Sequence, residues 1–193
     1  YMRTSGVETR PIKLISGFSP FCETFFTDVS VPKENLVGPL NGGWRVALST
    51  LTAERSGLSG DSAASGVELN PVLALARSSG AWSHEVTRDR LTALIATERA
   101  LTLTNLRFEV CPDDKGSITK LLQSELSQRI SELAFEIVGP TGAYWDGDAE
   151  PMPTHALLDS RRLAVAGGTS EIQRNIIAER VLGLDREPDL ERG

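Results

Sequence analysis

The sequence predicts a mainly α-helical protein, an antiparallel helical bundle preceded by two β-strands. After residue 43, apolar residues recur at spacings of three and four, which indicates amphipathic helices. Before it, β-branched and aromatic residues cluster on both sides of a turn-prone segment, which is typical of paired strands. The length favours one domain with an appendage, and we divide the chain into a β-part with its linker over residues 1–38 and the helical bundle over residues 39–193.

The two predicted strands cover residues 8–16 and 22–31. Gly17, Ser19 and Pro20 lie between them and favour a turn. Two strands alone form only a marginally stable ribbon. The loop that follows, residues 32–43, is rich in Pro, Asn and Gly and is the best candidate for a domain boundary.

The first helix is predicted to begin near Gly43, and Pro71 should kink or restart the helix at that point. Gly183 is placed to end the last helix. Long helices joined by short loops, each with one apolar stripe, favour an antiparallel bundle. The remaining helices are predicted at residues 85–110, 118–138, 155–166 and 170–182. The predicted inward residues are Trp44, Ala47, Leu48, Leu51 and Leu58 on the first helix, Leu91, Leu94, Ile95, Leu101 and Leu106 on the second, and Ile118, Leu121, Leu122, Leu126, Ile130, Leu133 and Ile137 on the third.

Composition excludes several classes of function. The chain has 193 residues, enough for a core, and its net charge of −6 argues against a nucleic-acid surface. It has no apolar run long enough to cross a bilayer. The two cysteines and two histidines lack the spacing of metal ligands, so we predict no metal site. Two lone cysteines suit a reducing compartment, and we expect a cytoplasmic, bacterial protein.

A Gly-Gly turn leads into the last predicted helix. Gly167 and Gly168 allow positive φ and close approach of a ligand to the backbone. Thr169 and Ser170 supply N-cap hydroxyls, and Ser170 with Gln173 fits a capping box. This N-terminus could hold an anion or a cofactor, or it could be an ordinary capped helix that packs by its isoleucines.

Glu54 is the candidate catalytic residue. Between Leu51 and Leu58 the apolar stripe of the first helix passes through Glu54 or Arg55. A carboxylate directed toward an apolar face has a raised pKa, which makes it a plausible general base near neutral pH. The alternative is that Glu54 pairs with Arg55 or another arginine at the edge of the bundle.

Three segments resemble the acyl-CoA dehydrogenases, flavoenzymes that desaturate acyl thioesters between Cα and Cβ. They are residues 26–57, residues 120–142 and residues 167–186. The third segment has the sequence GGTSEIQRNIIAERVLGLDR. They occur in the family's order and together reach across nearly the whole chain. The resemblance implies that residues 1–38 are the end of the family's middle β-domain and that the bundle is its C-terminal domain. A helical domain and most of the β-domain are then expected before residue 1.

The resemblance also implies the catalytic residue. In much of the family a glutamate directly before the Gly-Thr of the C-terminal motif removes the α-proton while the β-hydride leaves for flavin N5. Gly167 stands at that position here. In another branch, which includes isovaleryl- and long-chain-type enzymes, the glutamate lies on the first bundle helix in a context similar to residues 51–55, Leu-Thr-Ala-Glu-Arg. Glu54 is therefore the implied base, and Thr52, Arg55 and Gly168 are implied substrate contacts.

The implied cofactor is FAD. Arg77 matches a family arginine that reaches the FAD of a neighbouring subunit, although it could equally be an arginine on a solvated face. The implied FAD contacts are Arg77, Glu136, Gly139, Thr169, Ser170 and Glu171. Four features depart from the family pattern: Glu136 and Glu171 stand where glutamine is common, Pro140 replaces a second glycine, and the phenylalanine-glycine after Arg77 is missing.

Three hypotheses follow. The first is the C-terminal part of an FAD-dependent acyl-CoA dehydrogenase that acts on an acyl-CoA, is reoxidised by an electron-transfer flavoprotein and forms dimers or tetramers through its bundle. The second, motivated by the departures, is a non-catalytic assembly subunit of a heteromeric enzyme. The third is a relative that acts on acyl groups bound to a carrier protein. We expect the chain alone to associate and to hold no FAD.

Overall fold

The computed structural model describes residues 4–58, 68–110, 116–143 and 153–186, except for the side chains of residues 52, 54–58 and 109. This part of the chain is mostly helical with two antiparallel strands, which confirms the predicted fold class. The elements are β1 Val7–Ile12, β2 Phe21–Phe26, α1 Gly43–Leu58, α2 Leu69–Ser78, α3 Glu85–Val110, α4 Gly116–Val138, α5 Pro153–Ser160 and α6 Ser170–Ile176. The chain divides into two compact units between Leu51 and Thr52, within α1. The domain boundary after residue 38 stays a prediction.

The first unit contains the two-stranded ribbon. β1 and β2 pair in antiparallel register from Val7 opposite Phe26 to Ile12 opposite Phe21. Both strands were predicted, but each ends earlier than expected. Asp28, just beyond β2, has a φ of +50°, a left-handed conformation that a strand cannot continue through.

Helix α1 begins at Gly43, as predicted. Its predicted inward stripe is wrong for Trp44, Ala47, Leu48 and Leu51, which are exposed, and the side chain of Leu58 lies outside the described part. An apolar period marks a face that is able to be buried, but it does not supply the surface that covers this face. The predicted restart is confirmed, because α2 begins at Leu69 and holds Pro71 in its first turn, where a missing N–H costs little.

Helix α4 lies at the centre of the second unit and contacts α2, α3, α5 and α6. The bounds of α3 agree with the prediction, and α4 begins two residues before the predicted start. Ile95 and Leu106 were predicted to face inward but are 38% and 49% exposed, because the buried face of α3 is centred on other leucines. The buried apolar core comprises Leu69, Val72, Ala76, Leu91, Leu94, Leu101, Leu126, Ile130, Leu133 and Ala134.

Small hydroxyl side chains also lie buried along α4. Ser131 donates to the carbonyl of Ser127 at 2.7 Å, and Ser124 donates to the carbonyl of Leu121 at 2.9 Å. Because each hydroxyl is satisfied within its own helix, its burial is not costly. Small side chains also let neighbouring helices approach closely, which is how α4 can be covered on several sides.

The two last predicted helices are present in modified form. Helix α5 continues as a 3₁₀ turn over Arg161–Ala164, and α6 continues as a π turn over Ile177–Val181. Gly183, with a φ of +67°, ends the second of these as predicted. Among the described helices, none combines the length and apolar character needed to span a bilayer. The described residues also contain no cluster of three His, Cys, Asp or Glu side chains able to hold a metal.

Candidate functional site

The Gly-Gly turn before α6 adopts the backbone conformation that the sequence predicts. Gly167 and Gly168 have φ values of +68° and +99°. The N-cap of α6 is Thr169, whose Oγ1 accepts from the Ile172 N–H at 3.3 Å. The predicted capping box between Ser170 and Gln173 is therefore wrong, because Ser170 is already the first residue of the helix.

Gln173 points back to the turn instead of capping the helix. It is fully buried, and its Nε2 donates to the Gly167 carbonyl at 2.8 Å. Its Oε1 is buried without a hydrogen-bond partner among the described residues. A Cβ on Gly168 would lie 2.6 Å from Gln173 Nε2, so the amide fills the space beside the turn.

Lys120 holds the turn from a different helix. Its side chain is buried, and its Nζ donates to the Gly168 carbonyl at 2.6 Å. Burial lowers the pKa of the Lys120 ammonium, and the Glu171 carboxylate opposes this shift. Sequence reasoning missed this residue, because a lysine on an amphipathic helix is normally assigned to the surface. The one available signal was its place at the start of the segment 120–142.

Glu171 lies exposed in the first turn of α6. Its own backbone N–H and the Thr169 hydroxyl hydrogen-bond the carboxylate and lower its pKa, and Arg174 and Lys120 add to this shift. A carboxylate at a helix N-terminus is favoured in its charged form. Glu171 therefore stays ionised beside the turn at neutral pH.

A second group of predicted residues lies at the other end of α4. Arg77, in the last turn of α2, is exposed, and its guanidinium carbon lies 5.4 Å from the centre of the Trp82 ring. Glu136 pairs with Arg90 through two contacts, one of them 3.1 Å between Arg90 Nη2 and Glu136 Oε1. The hydrogen bond to Arg90 holds the pKa of Glu136 below its usual range. Gly139 follows α4 with a φ of +66°, and a Cβ added there would meet nothing within 4 Å.

A cleft of about 330 Å³ opens beside Glu136. It lies where the end of α2, the start of α3 and the end of α4 meet. Arg77 lies two residues before Ser79, the first residue that lines the cleft. The lining residues are Ser79, Ala81, His84, Thr87, Leu133, Glu136 and Ile137.

A sequence profile described as the acyl-CoA dehydrogenase C-terminal domain matches residues 41–182. The chain belongs to the acyl-CoA dehydrogenase family. Acyl-CoA dehydrogenase IpdE1 of Mycobacterium tuberculosis is 38% identical over 189 residues, which are 94% of this chain and 49% of that protein. The chain thus spans about half the length of this curated relative.

Solved structures of the family share the fold. The structure of the Tcur3481-Tcur3483 steroid ACAD has a TM-score of 0.79 at 22% identity, over 96% of this chain and 51% of that chain. The ChsE4-ChsE5 complex from Mycobacterium tuberculosis has a TM-score of 0.73 at 24% identity, over 96% of this chain and 52% of that chain.

The structure of this acyl-CoA dehydrogenase domain separates the predicted cofactor contacts into two groups. Thr169, Ser170 and Glu171 lie with the turn that Lys120 holds, and the other group lies around Glu136. Lys120 and Glu136 are sixteen residues apart on α4, which corresponds to about 24 Å along the helix. The side chains of Glu54, Thr52 and Arg55 lie outside the described part, so these predictions stay predictions.

The residues at both ends suit a dinucleotide such as FAD, the cofactor on which this family depends. An exposed arginine and an open glycine at the Gly139 end are groups that can approach a phosphate closely. The negative charge of Glu136 is matched by Arg90, so it does not oppose an anion unpaired. At the other end, the two glycines of the turn carry no side chain that would keep a ligand away from the backbone.

Proposed function

We propose that the chain is the C-terminal part of an FAD-dependent acyl-CoA dehydrogenase that desaturates an acyl thioester between Cα and Cβ. The observation that carries the proposal is the family match over residues 41–182, which includes the Gly-Gly turn and its capped helix. In this proposal residues 39–193 are the family's C-terminal bundle domain, and residues 1–38 are the end of its middle β-domain.

Glu54 is the proposed base. It lies on α1, in a sequence context that resembles the family branch with its carboxylate on the first bundle helix. Gly167, at the family's other location, carries no side chain and has a φ of +68°, which disfavours a glutamate there. Glu54 takes the α-proton, the β-hydrogen leaves as hydride, and the double bond forms between the two carbons. Bound FAD supplies the hydride acceptor, and Thr52, Arg55 and Gly168 contact the substrate.

The two groups of cofactor residues support association through the bundle. A separation of about 24 Å along α4 suits contacts to distant parts of one extended FAD, or to two FAD molecules held between subunits. The chain would then act as a homo- or hetero-oligomer, and the structurally similar ChsE4-ChsE5 is a complex. Reoxidation by an electron-transfer flavoprotein and a cytoplasmic location complete the proposal.

Glu54→Gln in the full-length gene product tests the proposed base. The amide is nearly isosteric but cannot accept the proton, so turnover should fall by several orders of magnitude while the fold and FAD remain. Exchange of the substrate's α-hydrogen with deuterated water is the decisive measurement. Glu179→Gln is the matched control, because Glu179 is exposed and also precedes an arginine. Exchange at the wild-type rate in Glu54→Gln would remove Glu54 from the mechanism.

A relocation experiment sharpens the same test. Glu54→Gly combined with Gly167→Glu moves the carboxylate to the family's other location and should restore part of the lost turnover. The restoration should be incomplete, because a side chain at a φ of +68° costs roughly 1–2 kcal/mol. The comparison is the Glu54→Gly protein alone. Equal turnover in the two variants would contradict the relocation.

A non-catalytic assembly subunit is the second candidate. The observation that favours it is Glu136, which stands where a glutamine is common and pairs with Arg90. A flavin absorption spectrum of the full-length protein, with and without co-expressed neighbours, separates the two functions. A colourless protein that restores flavin binding to a partner would establish the assembly role. Assays with acyl-CoA and with carrier-bound acyl thioesters distinguish the third hypothesis.

A further inference from the structure

We propose that Lys120 and Gln173 are positioning residues that hold the carbonyl groups of Gly167 and Gly168 inward and thereby direct the following N–H groups toward the bound ligand. The ligand part of this inference rests on the proposed function, in which Thr169 and Ser170 contact FAD. We call this arrangement, in which the side chains of Lys120 and Gln173 hold the two carbonyl groups, the clamp. The clamp itself depends only on the geometry of the described chain.

The two donors come from different elements and meet at consecutive carbonyls. Lys120 Nζ, on α4, lies 2.6 Å from the Gly168 oxygen. Gln173 Nε2, on α6, lies 2.8 Å from the Gly167 oxygen and 3.5 Å from the Gly168 oxygen. The turn is therefore fixed to the central helix as well as to the helix that it precedes.

Peptide geometry converts this clamp into an orientation of donors. In a trans peptide unit the carbonyl oxygen and the next residue's N–H point in opposite directions. With both carbonyls held by Lys120 and Gln173, the N–H groups of Gly168 and Thr169 point away from these side chains. Two consecutive donors on the outer side of a glycine turn suit an oxygen-rich ligand.

The clamp carries costs that a purely packing role does not explain. Burying an ammonium group is costly when its hydrogen-bond partner is a neutral carbonyl, and Lys120 is only 7% exposed and donates to the Gly168 carbonyl. Gln173 directs its donor to the turn while its own acceptor oxygen stays unsatisfied among the described residues. Apolar side chains of similar size would avoid both costs. What these polar side chains add is a fixed orientation of the turn.

Gly168 shows how little the turn can shift. A Cβ on this residue would lie 2.6 Å from Gln173 Nε2, in addition to the strain at a φ of +99°. The glycine is therefore required both by its conformation and by the side chain that holds the turn. Any larger residue at position 168 would displace the Gln173 side chain, one of the two donors.

Lys120→Met in the full-length gene product tests the inference, because it removes the charge and the donor but keeps an unbranched apolar side chain. Arg129→Met is the matched control on the same helix, since Arg129 is exposed. Amide hydrogen exchange of the flavin-free protein over residues 165–172 should become faster in Lys120→Met and stay unchanged in Arg129→Met. FAD affinity should fall by about tenfold or more in Lys120→Met only, with a shifted flavin absorption band.

Gln173→Leu should change exchange and affinity in the same direction, and it serves as the test if Lys120→Met does not fold. Unchanged exchange in both variants would overturn the clamp, whatever happens to the flavin. Faster exchange with unchanged FAD affinity and flavin spectrum would overturn the positioning role. If the wild-type full-length protein and its complexes bind no FAD, the proposed function and the ligand part fail, and exchange still decides the clamp.

Discussion

The two ends of helix α4 handle their polar groups in opposite ways. At the start of the helix, Lys120 is buried and donates to a backbone carbonyl 48 residues away in sequence. At its end, Glu136 is half exposed, pairs with Arg90 across the surface and borders an open cleft. Gly168 is enclosed by a side chain, whereas Gly139 has open space where a Cβ would be.

This difference separates groups that serve the chain's own geometry from groups that remain available to a ligand. Buried donors at the Lys120 end have definite partners within the chain, so substitutions there should alter the folded state first. Exposed groups at the Glu136 end gain little by pairing in water. Substitutions there should alter binding first, and the following predictions test this separation.

Arg77→Ala should have the largest effect on binding and a small effect on folding. If Arg77 contacts a desolvated phosphate of FAD, its loss should weaken binding by roughly 2–5 kcal/mol. Loss of its contact with Trp82 should cost about 0.5–1 kcal/mol of folding free energy. Flavin content of the full-length protein after dialysis measures the first effect.

Arg107→Ala is the control for Arg77→Ala, because Arg107 is also an exposed arginine in the last turn of its helix. Equal flavin content in both variants would show that Arg77 is only a solvated arginine.

Gly168→Ala and Gly139→Ala compare the two ends directly. Both residues have positive φ, which costs roughly 1–2 kcal/mol for alanine. Gly168→Ala also displaces Gln173 from its hydrogen bond, which adds about 1–3 kcal/mol. Urea unfolding should therefore show the larger loss of unfolding free energy for Gly168→Ala. Equal losses would contradict the contrast between an enclosed turn and an open one.

Glu136→Gln should have the smallest effect. The pKa of Glu136 is lowered in the folded state. Its negative charge therefore stabilises the fold when the pH is above 4.5, the ordinary pKa of a glutamate. This contribution is lost as the pH falls through the lowered pKa. Because both side chains are about half exposed, the loss should be below about 1 kcal/mol. Unfolding free energies at neutral and acidic pH, combined with Arg90→Gln in a double-mutant cycle, measure it. Additive effects of the two substitutions would show that the pair contributes no coupling.

Much of the fold could be predicted because its signals are local. The predicted range of α3, residues 85–110, agrees with the observed bounds Glu85–Val110, because apolar residues recur at helical spacing within it. The cap of α6 was misplaced by one residue, since Thr169 and Ser170 both carry hydroxyls that can cap a helix. Local chemistry thus predicts that a helix begins there but does not choose between adjacent hydroxyls.

The features that the sequence did not predict depend on contacts between residues distant in the chain. Nothing near Lys120 in sequence indicates that its ammonium reaches Gly168, because that contact exists only when α4 and the turn are packed together. Ile95 and Leu106 fit the apolar period of α3 but lie outside the surface that its neighbours cover. Glu54 remains a prediction from a sequence context, since its side chain is outside the described part.

The central place of α4 has a consequence for how the domain opens. Because this helix contacts α2, α3, α5 and α6, we expect its central amides to exchange with solvent only when several helices separate from it together. Lys120 belongs to this helix, so the hydrogen bond to Gly168 joins the glycine turn to a helix that is covered on several sides. Motion of the glycine turn should therefore follow the cooperative stability of the whole bundle rather than the local fraying typical of a loop.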